Sequence, residues 1–199
     1  ILPYKNGYLS TVCCDIALLK KEARMAELYA ITGVMAAGKS TVAELLAQRF
    51  EKGVHLRGDV FRRMIVSGRE EMCAEPSVEA VRQLHLRYRL AADAAKAYFE
   101  AGFSVVLQDN YYGQEWANLL ERFSGYPVRA VVLCPDAETV RQREAARGKK
   151  GYTGFAIEPL HAAFLRETPR LGFWLDSSRL SPQETVEAIL AHFQYRNGL

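Results

Sequence analysis

Gly33-Val34-Met35-Ala36-Ala37-Gly38-Lys39-Ser40, followed by Thr41, decides how this chain of 199 residues is read. The octet fits G-x-x-x-x-G-K-[ST] at every constrained position. Its flanks are those the pattern requires: a short apolar stretch, Leu28-Tyr29-Ala30-Ile31, before it and an amphipathic stretch after it. Glycine lets the backbone curl so that successive N–H groups point at one anion. The start of the next helix adds partial positive charge at the same place. In such a loop Lys39 reaches the β- and γ-phosphates and the Ser40 hydroxyl ligates Mg²⁺. A chain of this length meets the pattern by chance about one time in a hundred. The expected ligands are therefore ATP and Mg²⁺, with Gly33, Val34, Met35, Ala36, Ala37, Gly38, Lys39, Ser40 and Thr41 around the phosphates.

Outward from the loop, short valine-rich runs alternate with helical periodicity. Lys39 to Phe50 carries Val42, Leu45, Leu46 and Phe50 on one stripe, and Gly53 reads as its C-terminal cap. Val54 to Arg57 reads as a second strand, and Asp59 opens a helix to about Ser67. Residues 70–76 read as a loop before a long helix from Ser77 to Ala101, with Val81, Leu84, Tyr88, Ala91, Ala92, Ala95 and Tyr98 near helical period. Phe103 to Asp109, Val128 to Leu133 and Phe173 to Asp176 complete five strands. Gln114 to Phe123, Asp136 to Arg147 and about Glu158 to Glu167 read as helices between them. Ser181-Pro182-Gln183-Glu184 is a capping box that opens the last helix. Strands alternating with helices imply an α/β three-layer sandwich around a five-stranded parallel sheet, with ligands at the carboxyl ends of the strands.

Composition narrows the class. Hydrophobic residues make up 49% and charged residues 25% of the chain, and the formal net charge is +3. Such a chain builds its own core, and its charge is too mild to imply a polyanion partner by itself. Cys13, Cys14, Cys73 and Cys134 form no C-x-x-C pair and read as reduced thiols. His55, His85, His161 and His192 are scattered and read as surface or boundary residues. No apolar run approaches a membrane span, and the first 24 residues lack the layout of a signal peptide, so the expected location is cytoplasmic. Residues 1–24 read as an extension outside the domain, which spans 25–199.

From Met25 onward the chain resembles the small P-loop kinases grouped with chloramphenicol phosphotransferase, gluconate kinase and adenylate kinase. A shorter stretch resembles the 5′-hydroxyl polynucleotide kinases. The resemblance rests on the phosphate loop, on Gly58-Asp59-Val60-Phe61-Arg62-Arg63, on the arginine-spaced helix with Arg143 and Arg147, and on Leu175-Asp176-Ser177-Ser178. It implies a nucleoside monophosphate kinase-like fold with a small helical lid over about residues 141–168. It also implies transfer of the γ-phosphate of ATP to a hydroxyl of a small-molecule acceptor. Asp59 is then the base for the attacking hydroxyl, although the same residue also reads as a helix cap. Arg62 or Arg63 would bind a phosphate or carboxylate of the acceptor, or lie on a solvated helix face. Asp109 would hold Mg²⁺ through water, or serve as a plain turn residue. Arg143 and Arg147, four apart and so on one helix face, would enter the lid and touch adenine and phosphates. Asp176 and Ser177 would run beside the adenine. Tyr111, Tyr112 and Trp116 would line the acceptor pocket, or belong to the core.

Three other functions remain open at the level of sequence, one of them a nucleoside monophosphate kinase, which needs a base-reading acceptor site that no residue here marks. A polynucleotide or RNA-end 5′-hydroxyl kinase would share these motifs, with the modest charge and lack of a long basic stripe against it. A nucleotide-binding regulatory module would keep the loop and lack an acceptor. A Ras-type GTPase should carry N-K-x-D, and the chain has none. The acceptor's identity and the oligomeric state are not legible from these residues.

Overall fold

The structure is a computed structural model that describes residues 26–148, 152 and 156–194. Five strands, β1 (Leu28–Gly33), β2 (Gly53–Arg57), β3 (Ser104–Gln108), β4 (Val128–Leu133) and β5 (Phe173–Leu175), form one sheet in the order β2-β3-β1-β4-β5. Every neighbouring pair is parallel. Seven helices accompany them among the described residues: α1 (Lys39–Ala47), α2 (Asp59–Arg63), α3 (Val78–Glu100), α4 (Gln114–Arg122), α5 (Ala137–Ala145), α6 (Ile157–Glu167) and α7 (Pro182–Gln194).

Helices on both faces explain the strand sequences. All six residues of β1 and all five of β3 are buried, so these strands are apolar on both sides rather than alternating. Their few polar groups are matched. The Thr32 hydroxyl donates to the Tyr111 carbonyl and accepts from the Tyr111 N–H, both at 3.0 Å, which ties the chain leaving β3 to the end of β1. From β1 the chain runs outward past β3 to β2, returns to β3, then crosses β1 to β4. The connections therefore part above β1 and β3, and the crevice there is where such sheets bind ligands.

Helix starts follow the sequence closely. The Ser77 side chain accepts from the Ala80 N–H at 3.0 Å, and Asp136 accepts from the Thr139 N–H at 2.7 Å. The box before α7 closes in both directions: Ser181 N–H donates to Glu184 at 2.8 Å and Glu184 N–H donates to Ser181 Oγ at 3.2 Å.

Helix ends differ. The first helix stops at Ala47 with Gln48 as its cap, so Gly53 is not that cap. Gly53 instead begins β2, and a Cβ there would stand 1.9 Å from the Ala47 carbonyl oxygen; close approach requires the glycine. Helix α2 stops at Arg63 instead of reaching Ser67, because none of its residues is buried and no core contact rewards another turn. On α3, Tyr98 lies off the buried stripe and is 45% exposed. No helix among the described residues is long and apolar enough to cross a membrane. Residues 1–24, read as an extension, lie outside the described residues, as do 149–151 and 153–155 of the expected lid.

Candidate active site

Backbone shape builds the loop between β1 and α1. Gly33 lies against β4, where a Cβ would meet the Leu133 carbonyl oxygen at 2.4 Å. Ala36 has φ 62° and Gly38 has φ 93°, and the Ala37 N–H closes a turn on the Val34 carbonyl at 3.1 Å. Positive φ at both positions reverses the curl of the chain and produces the concave run of amides that an anion occupies. No side chain caps the N-terminus of α1 at Gly38. The first N–H groups of the helix thus keep their positive end for a ligand.

Lys39 is buried, and its Nζ donates to the carbonyls of Gly33 and Val34, both at 2.7 Å. Burial pulls its ammonium down to about 7, against the charge of Asp109, with Arg147 and Arg87 adding to the shift. Arg143, on α5, spans the loop and the turn after β5: it donates to the Ala37 carbonyl at 3.2 Å and to the Ser177 carbonyl at 2.8 Å. Arg147 pairs with Glu144 at 3.2 Å and borders the same cavity. Tyr152 donates its hydroxyl to the Met35 carbonyl at 2.9 Å, so it rests on the phosphate loop.

A second charged cluster lies at the end of β2 and β3. Asp59, the first residue of α2, accepts from Arg62 Nε at 2.9 Å and from Arg63 Nε at 2.8 Å. Burial raises its pKa, but hydrogen bonds and charge from Arg62 and Arg63 outweigh this and hold the carboxyl below the ordinary aspartate range. Asp59 is not a side-chain cap; its partners are these arginines. Arg87 approaches Asp59 at 3.9 Å from α3.

Asp109, just past β3, is 5% exposed and takes a two-point bond from Arg87, one arm at 2.7 Å. Its Oδ1 also accepts from the Asn110 N–H at 2.7 Å. Gly58 makes room for this pair, since a Cβ there would stand 2.0 Å from Asp109 Oδ2.

One cavity of about 1120 Å³ joins the two clusters, reaching from Lys39 and Ser40 to Asp59, Arg62 and Arg87. Its loop end suits a triphosphate: a curled main chain, the Lys39 ammonium and the guanidiniums of Arg143 and Arg147 border it together. Mg²⁺ fits Ser40, which borders the cavity beside Lys39. Asp109, expected to hold the ion through water, instead gives both carboxylate oxygens to Arg87.

Other expectations divide. Every residue from Met35 to Thr41 borders the cavity, as do Arg62, Arg63, Arg143, Arg147 and Ser177. Tyr111 and Trp116 do not line an acceptor pocket: both are fully buried in the core. Tyr111 packs on Tyr88 with ring centroids 4.5 Å apart, and Trp116 donates to the Leu171 carbonyl at 3.0 Å. Tyr112, the neighbour of Tyr111, faces the cavity instead. Asp176 binds the Ser178 N–H at 2.9 Å in its own turn and does not border the cavity. Sequence reading missed Arg87, whose place inside a long helix offered no motif. Its signal was position: of the two arginines flanking Tyr88, Arg87 lies at helical spacing from Leu84 and Ala91 on the inward stripe, where a cation needs a buried partner.

Loop, crevice and crossover order together define a P-loop fold of the small-kinase type. A family model described as AAA domain matches residues 28–166, and the chain belongs to that family. Among solved structures, a sugar kinase from Janibacter sp. HTCC2649 is similar at 19% identity and TM-score 0.61, covering 85% of this chain and 95% of that one. The tunicamycin resistance protein of Deinococcus radiodurans is similar at 16% identity and TM-score 0.66, covering 84% and 95%. The APS kinase of Mycobacterium tuberculosis, in complex with AMPPNP and APS, is similar at 15% identity and TM-score 0.65, covering 85% and 98%. No curated protein sequence matches the chain.

Proposed function

We propose that the chain is an ATP-dependent phosphotransferase that moves the γ-phosphoryl group of ATP to a hydroxyl of a small acceptor. The single cavity with Lys39 at one end and the Asp59 carboxylate at the other carries this reading. The sugar kinase and the APS kinase among the structural neighbours, the latter in complex with AMPPNP, favour it as well.

In this reading the phosphates lie on the main-chain amides of the loop, with Lys39, Arg143 and Arg147 facing their charge. Mg²⁺, held at Ser40, would supply further neutralisation of the phosphate oxygens. Asp59 faces the acceptor. The acceptor oxygen bonds to the γ-phosphorus, the bond from that phosphorus to the β–γ bridging oxygen breaks, and the electron pair leaves on ADP. The proton of the hydroxyl goes to Asp59. Because its neighbouring arginines keep Asp59 ionised, it is ready to accept that proton across the neutral range. Tyr152, Arg143 of α5 and Arg147, two residues past its end, close over the transferring group and limit competition by water.

The test is Asp59→Asn with a panel of hydroxyl compounds, reading ADP release and, separately, binding of an ATP analogue. Analogue affinity should stay within about threefold, while acceptor-dependent ADP release falls by about 10²–10⁴-fold. Unchanged release would remove Asp59 from the chemistry. Absence of analogue binding in the unmodified protein would overturn the phosphotransferase reading itself.

A further inference from the structure

Resting on that reading, in which Arg62 faces an oxyanion of the acceptor, we infer that the carboxylate of Glu71 holds the seat of that oxyanion when no acceptor is bound and must be displaced for the acceptor to enter. The argument begins with charge. Near Asp59 the cavity is bordered by Arg57, Arg62, Arg63 and Arg87, facing the carboxylates of Asp59, Asp109 and Glu71. Two of these carboxylates belong to the frame of the site. Asp109 is buried against Arg87, and Asp59 is the first residue of α2, fixed between Arg62 and Arg63. Glu71 is different. It comes from the loop of residues 64–77, its side chain is 60% exposed, and both its oxygens meet one terminal nitrogen of Arg62.

Withdrawal of Glu71 leaves four guanidiniums facing two carboxylates at one wall of a cavity. Planar guanidinium clusters of this kind match phosphate, sulfate and carboxylate groups by geometry as well as charge. Glu71 supplies such a group from within the chain. Its carboxylate marks where an external one would sit, on the face of Arg62 turned away from Asp59 Oδ1 bonding by Nε.

The loop that delivers Glu71 is built for release. Residues 66–77 are all exposed, so no core packing holds them. Their anchors are polar: Gln83 donates to the Gly68 carbonyl at 2.8 Å and accepts from the Glu70 N–H at 2.9 Å, and Arg69 lies 3.3 Å from Glu71. Exposed polar contacts of this kind contribute little, so an anion of higher local charge competes with Glu71 at small cost. Met72 and Cys73 border the cavity beside it, and displacement of Glu71 moves the apolar rim of the acceptor space as well.

The experiment uses the full chain saturated with an ATP analogue, so that added anions cannot report on the phosphate loop. Sulfate, phosphate and acetate are titrated in parallel by calorimetry into the unmodified protein, Glu71→Gln, Arg62→Gln and the double variant. Sulfate and phosphate separate a tetrahedral oxyanion from a carboxylate, which acetate represents. At least one of the three should bind roughly two- to fivefold more tightly to Glu71→Gln, the scale of one exposed ion pair removed, and should lose that gain in the double variant with Arg62→Gln. Equal affinity in Glu71→Gln and the unmodified protein overturns the inference while saturable analogue binding leaves the phosphotransferase reading standing. No anion binding to any variant overturns it equally. Failure of the analogue to bind removes both. Glu71→Ala, read in the same way, guards against a residual contact made by the glutamine.

Discussion

The two ends of the cavity are built on opposite plans. At the donor end the main chain does the work: a contiguous stretch from Gly33 to Ser40, positive φ at Ala36 and Gly38, and a lysine held by two carbonyls of its own loop. At the other end, where we propose that the acceptor binds, side chains do it. Asp59, Arg62, Arg63, Arg87 and Asp109 come from two helices and the end of a strand, and they hold one another. A main-chain site tolerates exchange of the side chains between its glycines, since amides are common to all residues. A side-chain site depends on each partner and loses its shape when one leaves. The first plan suits a cosubstrate common to a whole fold, and the second suits an acceptor particular to one protein.

The largest effect should come from breaking the side-chain plan where it is buried. Arg87→Met leaves Asp109, at 5% exposure, without its two-point partner. An uncompensated buried carboxylate costs about 3–5 kcal/mol. Urea denaturation should show a loss of that order, while Arg87→Lys keeps the charge, loses the fork and falls between. Acceptor-dependent ADP release should fall in both variants, and affinity for an ATP analogue in the folded protein should change little. An Arg87→Met protein as stable as the unmodified one would show that the pair contributes nothing net. Nucleotide affinity lost together with acceptor turnover would erase the distinction between the two ends.

This contrast also governs what the sequence could reveal. The donor end was legible because its geometry is local: the glycines, the lysine and the serine stand in one octet, and the strands and helix starts around it obey period and capping rules. Element ends were less so, since α2 stops where core contact stops, and that is a property of the packed molecule. At the acceptor end Asp59 and Arg62 were visible through their spacing of three. Arg87 and Asp109 are 22 residues apart in sequence and meet through the packing of α3 on β3, which no local pattern encodes. Tyr111 and Trp116 failed for a related reason. A residue after a parallel strand points either into the crevice or back under it, and Thr32 fixes Tyr111 in the second orientation by two hydrogen bonds. Glu71 carried no signal at all, sitting in a stretch that the sequence marks only as a loop.

A middle-sized effect should separate the ends by pH. Burial brings Lys39 to about 7 in the free protein, and phosphate oxygens bind its ammonium form. Below that pH the proton is already present. Above it, nucleotide binding must draw one from solution, so affinity falls as pH rises, by up to about tenfold per unit until the bound-state value is passed. Calorimetry in two buffers of different ionisation enthalpy should detect proton uptake on binding of an ATP analogue at pH 8 and little at pH 6. Folding has the opposite sign. The folded value lies below the unfolded one, so the cost of burying the ammonium is full below about 7 and is relieved as pH rises toward the ordinary lysine range. Asp59, held low by its arginines, should add no such dependence near neutrality; its contribution is lost only as pH falls through its depressed folded value. Affinity independent of pH from 6 to 9 would place the Lys39 ammonium outside the transition.

The smallest effect sharpens the main-chain plan. Ala36 holds φ 62°, a left-handed conformation that costs a residue with a Cβ about 1–2 kcal/mol. Ala36→Gly removes that strain and adds about 0.4–1 kcal/mol of chain entropy to the unfolded state. Urea denaturation should therefore show stability unchanged or raised by up to roughly 1 kcal/mol, with affinity for an ATP analogue preserved, because the amides and not the methyl face the phosphates. A destabilised Ala36→Gly protein with weakened nucleotide binding would mean that the alanine side chain, packed against the core, sets the curl of the loop. The donor end would then rest on side-chain packing as the acceptor end does, and the difference between them would be one of residue type alone.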